Sequence, residues 1–203
     1  MTKPSKLLSI VIPTVVKNAT MSAIYSHGLF SNDLIETVII ENKTLETSIR
    51  AIAENRNTGA KKAKGEWLWF MDSDDTIYLS YSLLVSKLKN KVFKADLVLV
   101  PSDKTIIPPV EQLLPALLEG AGLPAGSILI KREKFLALNG FDPELPHSEV
   151  WEFLVRYLTT KELTVEVLAN LPQPIWHKQE SKHSFSRQFD YNEVINFRKS
   201  FTP

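Results

Sequence analysis

Three aspartates in four positions, Asp72, Asp74 and Asp75, follow a run of large apolar residues in EWLWFMDSDDTIY (66–78). Carboxylates this crowded repel one another, and their pKa values rise unless a cation compensates. A divalent ion that prefers oxygen, Mg2+ or Mn2+, is the natural partner, commonly shared with substrate phosphates. The plainer alternative is a solvated acidic turn that caps the helix after it.

The elements around the cluster give it a place. LLSIVIPT (7–14) is a β-branched run closed by proline, the pattern of a strand buried on both faces. Residues 18–30 are compatible with a short helix ending near Gly28, and LIETVII (34–40) is a second strand candidate. From Thr47 to Lys64 the chain is helix-permissive, with Ala51, Ala53, Ala60 and Ala63 and with Gly65 as its stop. EWLWFM is a third buried strand, SYSLLVSKLKN (80–90) has helical spacing, and ADLVLV (95–100) returns to strand. Residues 101–124 hold five of the twelve prolines around one helical patch, VEQLLPALLEG, and read as a loop-rich excursion. GSILIKREKFLALNGF is strand, helix and glycine stop; SEVWEFLVRYLTT is helical and LTVEVL extended. A last amphipathic helix falls at about 191–201. Strands alternating with helices predict an α/β domain with a mostly parallel sheet. Ligands of such sheets bind beyond the carboxyl ends of the strands, where the aspartates fall.

Composition narrows the function classes. The 203 residues suit one domain, and 44% apolar with 23% charged residues is a globular balance. A net charge of +1 gives no electrostatic case for a nucleic-acid partner. No cysteine is present, which removes disulfides, thiol nucleophiles and thiolate zinc sites together and suits a reducing, cytoplasmic setting. No apolar run reaches the roughly eighteen residues of a membrane span, so any membrane association is peripheral. The N-terminus is read as a strand, not a signal peptide.

The blocks SIVIPT, ENRNTGAKKAKGEWLWFMDSDD, NGFDPELPHSEVWEFLVRY and IWHKQESKHSFSR occur in an order and spacing that resembles family-2 glycosyltransferases, over roughly residues 7–187. The resemblance implies a single GT-A, Rossmann-like α/β domain, a mostly parallel sheet flanked by helices. It also implies transfer of a sugar from a nucleotide diphosphate-sugar, a UDP-sugar first, with inversion, to a hydroxyl of a glycan, glycolipid or protein. Pro13, Thr14 and Val15, with Glu41 and Asn42, match the positions that hold the donor base. Arg56 matches the arginine that approaches the nucleotide, and a planar, permanently charged guanidinium suits phosphate or a base edge. Asp72 would face ribose or the metal shell, with Ser73 beside it on the donor. Asp74, with Asp75 as a second candidate, would ligate the Mn2+ or Mg2+ on the diphosphate, and His177 matches a histidine near that metal. A rival resemblance is to haloacid-dehalogenase-type phosphatases, whose DxDxT supplies an aspartate nucleophile. That motif ordinarily opens its chain, and downstream Asp96, Asp103, Asp142 and Asp190 form no acidic pair to complete it.

Departures from the family cluster at two points. The late helix usually starts Glu-Asp, the aspartate being the general base; here Glu149 is followed by Val150, which cannot accept a proton. Glu149, or Glu152 one turn later, is left to serve, and 149, 152 and 156 share a helix face. Against Glu152 stands an ordinary i, i+4 pair with Arg156. ENKT replaces the usual acidic pair after the second strand, and the stretch from there to Arg56 is short. The alternative function is therefore a GT-A-like binding or partner subunit that has lost its base.

Overall fold

A computed structural model of the chain describes residues 6–14, 33–41, 49–78, 81–145, 147–160, 164–168, 175–177 and 190–200. The helix expected over 18–30 lies outside these residues, as do Val15, Asn42 and the polar ending after His177.

The described elements are β1 (Lys6–Thr14), β2 (Ile35–Glu41), α1 (Ile49–Lys62), β3 (Gly65–Phe70), β4 (Thr76–Ile77), α2 (Tyr81–Lys89) and β5 (Leu97–Leu99). There follow α3 (Val110–Leu118), a 3-10 turn (Ala125–Ser127), β6 (Ile128–Lys131), α4 (Arg132–Ala137) and α5 (Glu149–Thr159). Last come β7 (Val165–Val167), β8 (Trp176–His177) and α6 (Tyr191–Ser200). The main sheet has the order β2-β1-β3-β6-β5-β7. β1 is parallel to β2 and to β3, β5 is parallel to β7, and β6 alone runs antiparallel to its neighbours β3 and β5. The mostly parallel sheet flanked by helices is thus as expected. The one reversal among the described strands comes from the 101–124 excursion, which brings the chain back into the sheet at the same edge where β5 left it.

Side chains of the central strands alternate between two apolar layers, as a pleated strand buried on both faces requires. Leu68 and Phe70 face one layer, with Val11, Leu97, Leu99, Ile128 and Ile130. Trp67, Trp69 and Met71 face the other, with Leu8, Ile10, Ile12 and Val98. The first layer is closed by α1, α3, α4 and α5, the second by α2 with Ile175 and Trp176.

Helix α1 can lie close on β1 because it turns small residues inward. A Cβ on Gly59 would come 2.4 Å from Val11 Cγ1. Gly65 ends the helix segment, as expected, and it also starts β3. Its N–H donates to Ser9 Oγ at 2.8 Å, and a Cβ there would meet that oxygen at 2.5 Å. Ser9 in turn donates to Glu36 Oε1 at 2.6 Å, so one polar chain sets the level of three adjacent strands. That level brings the carboxyl ends together: Thr14 pairs with Glu41, and Met71 N–H donates to Val11 O at 3.0 Å. Pro13, Thr14, Glu41 and the 72–75 turn therefore share one edge of the sheet.

Candidate active site

Arg56 organises this edge. Ala53, Arg56, Ala60 and Ala63 recur at i, i+3, i+7 and i+10, so the arginine occupies a core-facing position of α1 and is only 4% exposed. It sits near the middle of the helix. Its guanidinium bridges two carboxylates: Nη2 donates to Asp72 Oδ1, and Nη1 donates to Glu149 Oε1 at 2.6 Å. Burial acts to lower the Arg56 pKa. The charges of Asp72 and then Glu149, with their hydrogen bonds, outweigh it, and the net shift is upward. Arg56 Nε is buried with no hydrogen-bond partner among the described residues.

The seat beneath the guanidinium is aromatic. Phe70, Phe135, Phe141 and Phe153 pack with ring centroids 4.9–5.3 Å apart, and the Arg56 guanidinium carbon lies 5.9 Å from the Phe141 centroid. Such pairs each contribute about 0.5–1.5 kcal/mol beyond area burial. Asn57 brackets the backbone of Phe141, donating from Nδ2 to its carbonyl at 2.7 Å and accepting its N–H at 2.9 Å. Gly140 precedes it at φ 69°, and a Cβ there would come 2.4 Å from Asn57 Oδ1. Both the left-handed backbone and the close approach require glycine. Both residues fall in the blocks that carry the family resemblance, but nothing local in the sequence announces the contact between Asn57 and the NGF turn.

The 72–75 turn closes with Asp75 N–H donating to Asp72 O at 3.1 Å. Asp72, Ser73 and Asp74 are half-buried and Asp75 is buried at 4% exposure. The turn runs into β4, which pairs antiparallel with β8, so that Thr76 stands opposite His177. His177, remote in sequence, is thus carried beside the aspartates. Its Nδ1 lies 2.5 Å from Asp103 Oδ2, and this aspartate from the proline-rich excursion was not anticipated. Among the described residues no three His, Cys, Asp or Glu side chains converge as a cage for a metal ion. A hard divalent ion bound together with a diphosphate needs only one or two protein carboxylates. The Asp74 and Asp75 oxygens fit that chemistry, with the His177 imidazole one ladder step away.

The two glutamates of α5 have different surroundings. Glu149, in the first turn, meets Arg56, and Oε1 is the atom held. Glu152 is 7% exposed and is gripped by Arg156 through Nε at 2.7 Å and Nη2 at 2.8 Å. Arg156 also donates to the carbonyls of Leu138 and Gly140, the latter at 2.8 Å. The i, i+4 pair read in the sequence therefore forms, and it fastens α5 to the turn after α4. Val150 points into the apolar layer at 8% exposure. In this chain position 149, not 150, faces Arg56.

Residues 43–106 match Glycosyl transferase family 2, a stretch that includes α1 and the aspartate turn. A Haemophilus influenzae protein described as an uncharacterized glycosyltransferase is 27% identical, over 78% of this chain and 64% of its own length. The fold is shared with S. aureus TarS in complex with UDP-GlcNAc (TM-score 0.61, 15% identity, 95% of this chain and 65% of that one). It is shared too with the mannosyltransferase PcManGT of Pyrobaculum calidifontis in complex with GDP-Man and Mn2+ (TM-score 0.59, 14% identity, 91% and 61%). The architecture is that of the GT-A glycosyltransferases. Together the family match, the curated relative and the shared fold support a family-2 glycosyltransferase. The chain spans about two thirds of the length of these relatives, 64% of the curated one and 65% of the TarS chain. No helix among the described residues is long and apolar enough to cross a membrane.

Proposed function

We propose that this chain is an inverting, metal-dependent glycosyltransferase that moves a sugar from a nucleotide diphosphate-sugar to an acceptor hydroxyl on a glycan, glycoconjugate or protein. The observation that carries it is the buried Arg56, which joins the aspartate turn to the first turn of α5 at the sheet's carboxyl edge. Pro13, Thr14 and Glu41 line the donor-base end of that edge, and Asp72 and Ser73 adjoin the ribose and diphosphate. Asp74, with Asp75 and His177 near it, would hold Mn2+ or Mg2+, which when bound stabilises negative charge on the leaving diphosphate.

Glu149 is the base in this reading. Arg56 fixes Oε1, and Oε2 takes the acceptor hydroxyl's proton. The acceptor oxygen attacks the anomeric carbon, the bond from that carbon to the diphosphate oxygen breaks, and the nucleoside diphosphate departs with its electron pair. Glu152 is committed to Arg156 and serves α5 itself. A cytoplasmic setting, with a UDP-sugar as donor, completes the proposal.

Titration with a panel of nucleotide sugars, with and without Mn2+, tests it, with released nucleoside diphosphate as the second readout. Metal-enhanced binding and release from one donor are expected; absence of binding by every nucleotide sugar overturns the reading. A donor-binding subunit without turnover is the second reading, favoured by the burial of Val150 where the family base would stand. Binding without release from any donor would select it.

A further inference from the structure

Two side chains of helix α6, Phe197 and Arg198, meet the segment that delivers Glu149, and a third, Ile195, meets the turn after α3. Asp190 caps the helix, its Oδ1 accepting the N–H groups of Asn192 at 2.7 Å and Glu193 at 3.2 Å. Ile195 fits against Gly120, where a Cβ would meet Ile195 Cδ1 at 3.0 Å and where φ is 103°. Phe197 stands edge-on to the His147 ring, centroids 4.6 Å apart. Arg198 reaches furthest: Nε donates to Ser148 Oγ at 3.1 Å and Nη1 to Gly120 O at 3.0 Å. Its guanidinium carbon lies 6.0 Å from the Trp151 ring centroid.

Ser148 is the residue that needs explaining. It occupies the N-cap of α5, where a serine ordinarily accepts an N–H of the first turn. Here its side chain makes no capping bond, and its backbone is left-handed at φ 67°, ψ 27°. A non-glycine residue in that conformation is strained and persists only where its surroundings hold it. The hydroxyl is turned to Arg198, with His147 Nδ1 at 3.0 Å on its other side. The left-handed cap sets the direction in which α5 starts, and Glu149 is the next residue.

We propose that α6 is a positioning clamp for the base-bearing end of α5, and that Arg198 is its positioning residue, holding Ser148 left-handed so that Glu149 meets Arg56. This rests on Glu149 acting in transfer, as argued above, but the clamp itself is a statement about backbone and can be tested without turnover. Trp151 ties the same turn to the end of α3, its indole N–H donating to Leu117 O at 2.8 Å beside the Gly120 carbonyl that Arg198 holds. Helix α6 thus does more than cover apolar surface: it bears on the geometry of the reaction.

The test uses Arg198→Gln, Ser148→Gly and the double variant of the full chain. Glycine accepts φ 67° without strain, so Ser148→Gly removes the hydroxyl while keeping the backbone accessible. Each single variant is expected to lower kcat by about 10- to 100-fold, as small displacements of a reacting group do, with nucleotide affinity unchanged. The double variant should lose no more than the worse single one, because both break one contact. Arg198→Lys, which restores a single donor, should recover part of the loss. In parallel, amide exchange in the first turn of α5 should quicken in both single variants while α1 is unaffected.

Wild-type kcat in either folded single variant, or fully additive losses, overturns the proposal. If the wild-type chain binds donors but never turns over, the transfer reading has failed. Exchange then decides the clamp alone, and unchanged first-turn protection in Arg198→Gln overturns it. Should Arg198→Gln fail to fold, Ser148→Gly carries the same two readouts.

Discussion

Two arginine–glutamate pairs stand one turn apart on α5, and they are built differently. In the Glu152–Arg156 pair both carboxylate oxygens are gripped by one guanidinium, which gives two further N–H groups to the carbonyls of Leu138 and Gly140, so that every nitrogen is bonded. Every partner belongs to α5 or to the turn beside it. In the Glu149–Arg56 pair the guanidinium is shared between two carboxylates from different segments, and one of its N–H groups has no partner among the described residues. A buried polar group left unmatched is costly, and such groups mark places where something other than packing is served. The saturated pair holds a helix in place. The unsaturated one gathers the site.

Breaking the comparison should start with its most consequential member. Glu149→Gln keeps an oxygen for Arg56 but removes the proton acceptor. Turnover should fall about 10²- to 10⁴-fold with donor affinity retained, as measured by single-turnover kinetics beside calorimetry. Undiminished turnover would remove Glu149 as the base.

Arg156→Met and Arg56→Met should each cost about 3 kcal/mol of stability in urea unfolding, because each strands a carboxylate in poorly solvated surroundings. They should differ in binding: Arg56→Met weakens nucleotide affinity and Arg156→Met leaves it alone. Equal effects on binding would erase the distinction between the pairs. Asp74→Ala should abolish the gain in nucleotide affinity that Mn2+ confers, about tenfold or 1.4 kcal/mol, without changing metal-free binding.

The smallest effect concerns His147, on the loop that leads into the same helix. Burial, and after it the Arg198 charge, pushes its pKa below the ordinary value, against the opposing pull of Glu193 and Glu149. The unfolded chain therefore takes up this proton more readily than the folded one. Stability is intact above about pH 6.5 and declines below it. The fall in Tm between pH 7.5 and 5.5 should be shallower in His147→Gln; an identical slope would show that the histidine contributes nothing.

Much of this was legible in the residues. Strand runs such as SIVI and WLWF are apolar on both faces, so hydrophobicity alone commits them to a covered sheet, and their ends fall within a residue or two of expectation. The aspartate turn could be read because charge after a buried strand has only the sheet's edge to go to. Arg56 was recognised by resemblance, yet its burial was also written in the chain, since it shares the helical register of Ala53, Ala60 and Ala63. Asp103, Asn57, Ser148 and Arg198 carried no such mark. Each acts through a partner distant in the chain, and no local pattern announces a contact of that span.

The C-terminal helix shows where the division lies. Its amphipathic spacing predicted a docked face. It docks on the Gly120 turn and the loop before α5. Periodicity tells which side of a helix is apolar but not which surface it meets, because burial is non-directional. The same holds at the site. Composition and local pattern determined an α/β sheet, its carboxyl edge and an acidic turn upon it. Tertiary structure decided that Arg56 would bridge Asp72 to Glu149 and that Glu152 would be spent on Arg156. A charge pair depends on distance and desolvation, and both are set only when separate segments close on one another.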